Sequence, residues 1–237
     1  MHDGPDISRL AAVIGEPGRA QVLSALMDGR SLTATELADA AAVTRSTMSS
    51  HLSRLQQVRL IEAERQGRHR YFRIANCEVA ELLEGMMGLA QLTTPIFGPG
   101  DPALRKARLC YDHLAGELGV LIYDGLQARG SFVHASGGLS VSDSGWALLS
   151  KLGLFAADIP QARRPLCRNC LDWSERRHHL AGALGAALMA RLMDLRWAKR
   201  LPHSRALHFT ARGERAVREI FAGPSAMSAV KTKTRHP

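Results

Sequence analysis

The sequence predicts a mainly α protein with small β content. An N-terminal set of short helices closed by a β-hairpin precedes an α-rich C-terminal domain built from a tandem helix-strand-helix duplication. Three observations carry this reading. From Ile7 to Val58 apolar residues recur three and four apart, interrupted by capping residues. From Leu60 to Ala75 the period changes to strict alternation about a single glycine, Gly67. Further on, "HLAGELG" begins at His113 and "HLAGALG" at His179, an offset of 66 residues.

Size and composition agree with two domains. The chain has 237 residues and is 46% hydrophobic, enough to build real cores, and its 5% aromatic content makes those cores mostly Leu, Ala and Val. "LAGALGAALMARLMDL" from Leu180 is the most apolar stretch, and Arg191 and Asp194 interrupt it, so no membrane span is expected. "MHDGPDISRL" lacks the basic start and apolar middle of a signal peptide, which makes the cytoplasm the expected compartment. The four cysteines (Cys77, Cys110, Cys167 and Cys170) then suggest no disulfide framework. A net charge of +9 favours a polyanionic partner.

The elements follow in order. "ISRLAAVIG" is a short helix from Ile7. "EPGRAQVLSALMDG" is a second, with Pro17 in its first turn, Gly29 as its stop, and a stripe of Val22, Leu23, Leu26 and Met27. Thr33 with Glu36 three residues on is a capping box for a third helix ending near Ala42. "TRSTMSSHLSRLQQVRLI", from Thr44, is a fourth, striped by Met48, Leu52, Leu55 and Val58. Two short helices joined by so tight a turn form a helix-turn-helix unit. "RLIEAERQGRHRYFRIA" is a hairpin with "RQGRHR" at its tip and Gly67 supplying the positive φ. "CEVAELLEGMMGLAQL" closes the domain as a helix with Asn76 as N-cap.

Helix-helix-turn-helix-hairpin-helix is the winged-helix order. The fourth helix exposes short hydrogen-bonding side chains where most surface helices carry long Glu, Lys and Gln. Such a face can approach base edges and phosphates in a major groove without acidic repulsion. The residues expected to touch duplex DNA are Thr44, Arg45, Ser46, Thr47, Ser49, Ser50, His51 and Arg54 on the helix. Arg65, Arg68, His69, Arg70 and Tyr71 on the hairpin would meet the backbone or minor groove. Seven arginines (45, 54, 59, 65, 68, 70 and 73) against Glu62 and Glu64 make this the cationic part of the chain, where a merely solvated basic face would not concentrate its charge on the two contacting elements.

The run "LTATELADAAAVTRSTMSSHLSRLQQVRLIEAERQGRHRYFRIA" resembles the helix-turn-helix and wing of the ArsR-type transcriptional repressors, with a similar "HL-x-x-L" recognition helix and "G-R-x-x-Y" wing, and the likeness covers residues 8 to 92. The resemblance implies a homodimer joined by the first and last helices of this domain, with two recognition helices facing a palindromic operator. Ala11, Ile14, Leu82, Leu83, Met86, Met87 and Leu89 give those helices the apolar surface for it, or for the chain's own second half. Metal sensing is not carried over. Family members that sense metals place Cys-x-Cys at the first helix of the motif, here "TELADAAAV", or Asp and His along the last helix. That helix here offers Cys77, Glu78, Glu81 and Glu84.

"TTPIFGPGDPA", residues 93–103, is a Pro- and Gly-rich linker. In the following 104–223 domain the two "HLAG" blocks are each followed by a second matching block, "LSVSDSGWALLSKL" from Leu139 and "LHFTARGERAVREI" from Leu207, offset by 68 residues. Each copy reads as a long helix, a short strand, a hydroxyl N-cap (Ser142, Thr210) and a second helix, and the small residues of the two long helices permit them to pack together. Cys110 and His113 would share a helix face, while Cys167 and Cys170 form a C-x-x-C before the helix bearing His178 and His179. Cys110, His113, Cys167, Cys170 and His179 are therefore candidate ligands for zinc or a softer divalent metal ion. A thiol redox pair and plain buried small side chains stand as alternatives. "CLDWSERRHHLAG" also resembles longer ArsR-like regulators. The basic segment 224–237 reads as a disordered tail.

No phosphate loop, dinucleotide fingerprint, nucleophile elbow or H-E-x-x-H is present, so no enzyme is expected; thiol–disulfide exchange at Cys167 and Cys170 is the least implausible reaction. The expected protein is a cytoplasmic, homodimeric repressor that binds operator DNA and senses an effector through its second half, whether a soft metal ion, thiol oxidation or a small organic molecule.

Overall fold

The structure, a computed structural model, describes residues 6–92, 99–135, 138–160, 164–202 and 204–222. It divides into two compact units between Leu83 and Glu84.

In the first unit, α1 (Ile7–Ile14) starts under Asp6, whose carboxylate accepts from the Arg9 amide. α2 (Pro17–Leu26) has its proline in the first turn, and the Glu16 carboxylate accepts from the Gly18 and Arg19 amides. β1 (Leu32–Thr33) runs into α3 (Ala34–Ala40), where the capping box closes both ways: the Glu36 amide donates to Thr33 Oγ1 and the Thr33 amide to the Glu36 carboxylate. α4 (Arg45–Gln57) begins at Thr44, which accepts from the Thr47 amide. Arg59, at φ 57°, turns the chain into β2 (Ile61–Gln66) and β3 (His69–Ile74), paired from Ile61–Ile74 to Gln66–His69 around Gly67 at φ 60°. α5 (Cys77–Leu92) follows and carries the chain past Leu83 into the second unit, and the Val79 amide donates to Asn76 Oδ1.

The apolar stripes meet in one core. Val22, Leu26, Met27, Leu37, Met48 and Leu55 are fully buried, each worth about 1.5–3 kcal/mol of transfer free energy. This is a winged helix-turn-helix with a three-stranded sheet, ordered β1-β3-β2. β1 was not expected, because two residues are too short to show a period, yet its pairing with Phe72 and Tyr71 ties α3 to the wing.

The second unit holds more strand than the helix-strand-helix reading allowed. After α6 (Pro102–Lys106) come the hairpin β4 (Arg108–Cys110) and β5 (His113–Ala115), then α7 (Glu117–Ala128), the hairpin β6 (Phe132–Ala135) and β7 (Gly138–Val141), and α8 (Asp143–Leu149). The order then recurs: β8 (Arg168–Leu171), β9 (His178–Ala181), α9 (Gly182–Asp194), β10 (Ala198–Arg200), β11 (Leu207–Phe209) and α10 (Ala211–Phe221). Ser142 and Thr210 cap α8 and α10, accepting from the amides of Gly145 and Gly213.

Two expectations are corrected. Cys110 and His113 do not share a helix face; they are cross-strand partners in the β4–β5 hairpin, and the helix starts only at Glu117. The long helices pack mainly on the other run's strand, α7 on β9 and α9 on β5, more than on each other. The glycines make this approach possible: a Cβ on Gly119 would stand 2.5 Å from the Leu114 carbonyl oxygen and 3.5 Å from His179 Cβ. Gly116 and Gly182, at φ 83° and 86°, make the sharp turns from strand into helix.

Of the expected linker, residues 93–98 lie outside the described residues, and Asp101 to Ala103 instead open α6. The 224–237 segment lies outside them as well. Among the described residues no helix is long and apolar enough to cross a membrane.

Candidate nucleic-acid face and a buried cysteine–histidine cluster

α4 turns Met48, Leu52 and Leu55 inward and leaves Thr44, Arg45, Ser46, Thr47, Ser49, Ser50 and Arg54 exposed. Thr44 and Thr47 hydroxyls bond each other, and Ser49 Oγ donates to the Arg45 carbonyl. Ser49 therefore offers acceptor lone pairs outward, whereas the donors of Arg45, Ser46, Ser50 and Arg54 have no protein partner among the described residues. On the hairpin Arg65, Arg68, His69 and Arg70 are exposed and Tyr71 is half-buried. Arg68 Nε donates to His69 Nε2, while Arg70 is held back by Gln56 Oε1 at 2.9 Å and by the Phe72 ring.

His51 departs from expectation. It is 9% exposed, faces α2 beside Gly18, and has Nε2 3.6 Å from Glu16 Oε2. It belongs to the unit's interior and not to the outward face. The helical angle explains this: position 51 lies three residues from Met48 and four from Leu55, within the apolar stripe.

In the second unit, Cys110, His113, Cys170 and His179 converge, all buried, with their ligand atoms within 4.8 Å of one another. The two hairpins supply one Cys–His pair each, Cys110 opposite His113 and Cys170 opposite His179. The sulfurs are 3.8 Å apart and the two Nε2 atoms 3.2 Å apart. Behind each ring stands a carboxylate: His113 Nδ1 is 3.1 Å from Asp112 Oδ1, and His179 Nδ1 is 3.5 Å from Asp172 Oδ2. Asp112 is held by Arg164 at 2.6 Å, and Asp172 by the buried Arg108 at 2.7 Å and by the Gly116 amide.

Cys167, the fifth candidate, is not in this group. It is buried in the apolar core, where burial alone pushes its thiol up to about 12. Cys167 stands just before β8, and the extended chain there turns it to the face opposite Cys170, into the apolar core. The cluster itself is strongly polarised. Burial raises the Cys110 thiol, whereas Cys170 is lowered by the hydrogen bond from Cys110 and, against burial, by those from His113 and His179. Burial would lower His113, but Asp112 and Cys170 raise it to about 9.

The supporting residues Asp112, Asp172, Arg108 and Arg164 were not read from the sequence. A signal for most of them existed. "RLCYDHLAGELG" and "RNCLDWSERRHHLAGALG" share R-x-C-x-D…H-L-A-G-x-L-G once the second copy is allowed a longer loop before its histidine. That alignment matches Cys110 with Cys170, Asp112 with Asp172 and His113 with His179, and leaves Cys167 outside the pattern.

Residues 16–63 match the bacterial regulatory protein, arsR family. The chain is similar to the uncharacterized HTH-type transcriptional regulator YdfF of Bacillus subtilis, with 38% identity over 213 residues, 89% of this chain and 94% of the relative. It is also similar to the HTH-type transcriptional regulator Rv0324 of Mycobacterium tuberculosis, 28% identical over 120 residues, 47% of this chain and 53% of that one. Among solved structures, the homodimeric winged helix-turn-helix DNA-binding domain Mb0332 of Mycobacterium bovis is 26% identical, covering 38% of this chain and 90% of that one, with a TM-score of 0.33.

Proposed function

Because the chain belongs to the ArsR family of helix-turn-helix transcriptional regulators, we propose that it is a homodimeric repressor whose grip on operator DNA is modulated by an effector at its second unit. One observation supports the DNA-reading part above all: the outward half of α4 is a smooth run of short donors and acceptors flanked by Arg45 and Arg54, which have no partner among the described residues. In this reading α4 enters the major groove, Arg45, Ser46 and Ser50 reach base edges or phosphates, and Arg65, Arg68 and His69 on the wing hold the adjacent backbone. His51 supports α4 from behind.

Self-association is favoured by the apolar side chains that α1 and α5 leave exposed, among them Ile7, Leu82 and Leu89. Two recognition helices would then face a palindromic site. The recurring hairpin-helix-hairpin-helix order of the second unit is read as a duplication, and an effector there needs to favour one dimer geometry by a few kcal/mol to release DNA, each tenfold change in affinity being about 1.4 kcal/mol.

The test is fluorescence anisotropy against the DNA upstream of the protein's own gene, with scrambled DNA as control, at rising salt. Arg45→Ala is expected to weaken specific binding by roughly 1–3 kcal/mol while leaving scrambled DNA almost unaffected. Arg68→Ala is expected to weaken both equally and reduce the salt slope by about one. Equal losses on both DNAs for Arg45→Ala would remove α4 from the groove.

A further inference from the structure

We propose that Cys110, His113, Cys170 and His179 bind one zinc-class ion as a closed, four-coordinate clasp that joins the two hairpins of the second unit. The distances suit it. With Zn–S near 2.3 Å and Zn–N near 2.0–2.1 Å, a tetrahedral centre needs about 3.8 Å between sulfurs and about 3.3 Å between nitrogens. The structure has 3.8 Å and 3.2 Å.

The imidazole arrangement points the same way. Asp112 hydrogen-bonds His113 Nδ1 and so favours the tautomer with its proton there, while Asp172 faces His179 Nδ1 at 3.5 Å without a hydrogen bond and favours a proton on that nitrogen by charge alone. Without metal a proton shared between the two Nε2 atoms accounts for their 3.2 Å contact, and with both deprotonated a metal ion can take that proton's place. Carboxylates behind metal-bound histidines are the usual means of fixing ring orientation. Charge balances too: two thiolates and two neutral imidazoles around a divalent ion sum to zero, which a buried site tolerates. Binding would release to solvent the protons that the cluster carries on its sulfurs and Nε2 atoms. The donor set selects the ion class. Two sulfurs with two nitrogens favour Zn2+ over oxygen-seeking Mg2+ or Ca2+.

Four protein ligands leave no open position, and all four are buried, with His179 at 0% exposure. That is the form of a structural centre, held permanently, and it differs from an exchangeable sensing site. It is also unlike a redox C-x-x-C, since Cys167 lies elsewhere. This inference stands apart from the DNA-binding reading, which a metal-free protein could still satisfy.

Full-length protein purified without chelator is expected to carry about one zinc per chain by elemental analysis and native mass spectrometry. Cys110→Ser, Cys170→Ser and His179→Gln should each lose it, while Cys77→Ser and Cys167→Ser should keep it. Should the cluster variants fail to fold, Co2+ added to wild-type protein stripped under reducing conditions decides the matter. Intense tetrahedral d–d bands together with thiolate-to-cobalt charge transfer are the expected result. A weak octahedral spectrum without charge transfer would overturn the clasp. So would a wild-type protein that arrives without stoichiometric metal, one that carries a Cys110–Cys170 disulfide in its place, or metal retained in the folded Cys110→Ser and Cys170→Ser variants.

Discussion

His51 shows how a single side chain can be read two ways from one string of letters. It sits among serines and threonines, which suggests the outward face. Yet its spacing of three and four from Met48 and Leu55 places it on the apolar stripe, and there it packs on Gly18 of α2, where an added Cβ would stand 2.9 Å from Nε2. Contact with a glycine is why a ring fits where a larger neighbour would exclude it. We expect His51→Ala to lower the thermal midpoint of the first unit by the few degrees that a loss of about 1–2 kcal/mol implies, while leaving the salt slope of DNA binding unchanged. A reduced slope with an unchanged midpoint would return His51 to the DNA face. Arg70 carries the opposite lesson. Its charge was legible, but its hydrogen bond to Gln56 and its stacking on Phe72 were not, because both depend on how β3 lies against α4.

Among the elements, the helices of the first unit were legible because each carries its own punctuation: Glu16 and Pro17, the Thr33–Glu36 box, and the Thr44 cap. The hairpins β4–β5 and β8–β9 were not. Strands of three or four residues are too short to show a period of two, and "HLAG" followed by a long apolar run reads as helix throughout. The turns at Gly116 and Gly182, with positive φ, separate strand from helix at the point where the apolar pattern runs on unbroken. Gly119→Ala tests the close contact that follows. Alanine gains about 1 kcal/mol of helix propensity in α7. Its Cβ, however, would meet the Leu114 carbonyl oxygen of β5 at 2.5 Å, and backbone cannot move aside as a side chain can. Overpacking of this kind costs about 1–3 kcal/mol, so a net loss of stability is expected on chemical denaturation. An unchanged or higher midpoint would show that β5 yields freely.

For the molecule as a whole, composition and charge set the class, and the two compact units set what can be separated by experiment. Heating is expected to give two transitions. Because a ligand stabilises only the unit that holds it, a chelator strong enough to strip zinc should lower the second unit's midpoint and leave the first unit's in place. At a free ion concentration about a thousand times the dissociation constant, the shift corresponds to roughly 4 kcal/mol. Calorimetry with and without chelator checks this. A single transition that moves as one, or none that moves, would count against a clasp confined to the second unit.

By itself the sequence determined the winged helix-turn-helix, its cationic helix and wing, and, within a set of five candidates, all four sulfur and nitrogen donors that come together. All of these follow from local spacing, capping and charge, which neighbouring residues fix. Only the tertiary structure decided that His51 faces inward, that Cys167 stands apart, and that Cys110, His113, Cys170 and His179 form one buried centre backed by Asp112 and Asp172. These depend on which side of a short strand a residue faces and on the meeting of two hairpins some sixty residues apart in the chain, from Cys110 to Cys170. Strand side changes with every single step along the chain, so one residue of uncertainty about where a strand begins is enough to exchange a ligand for a core residue.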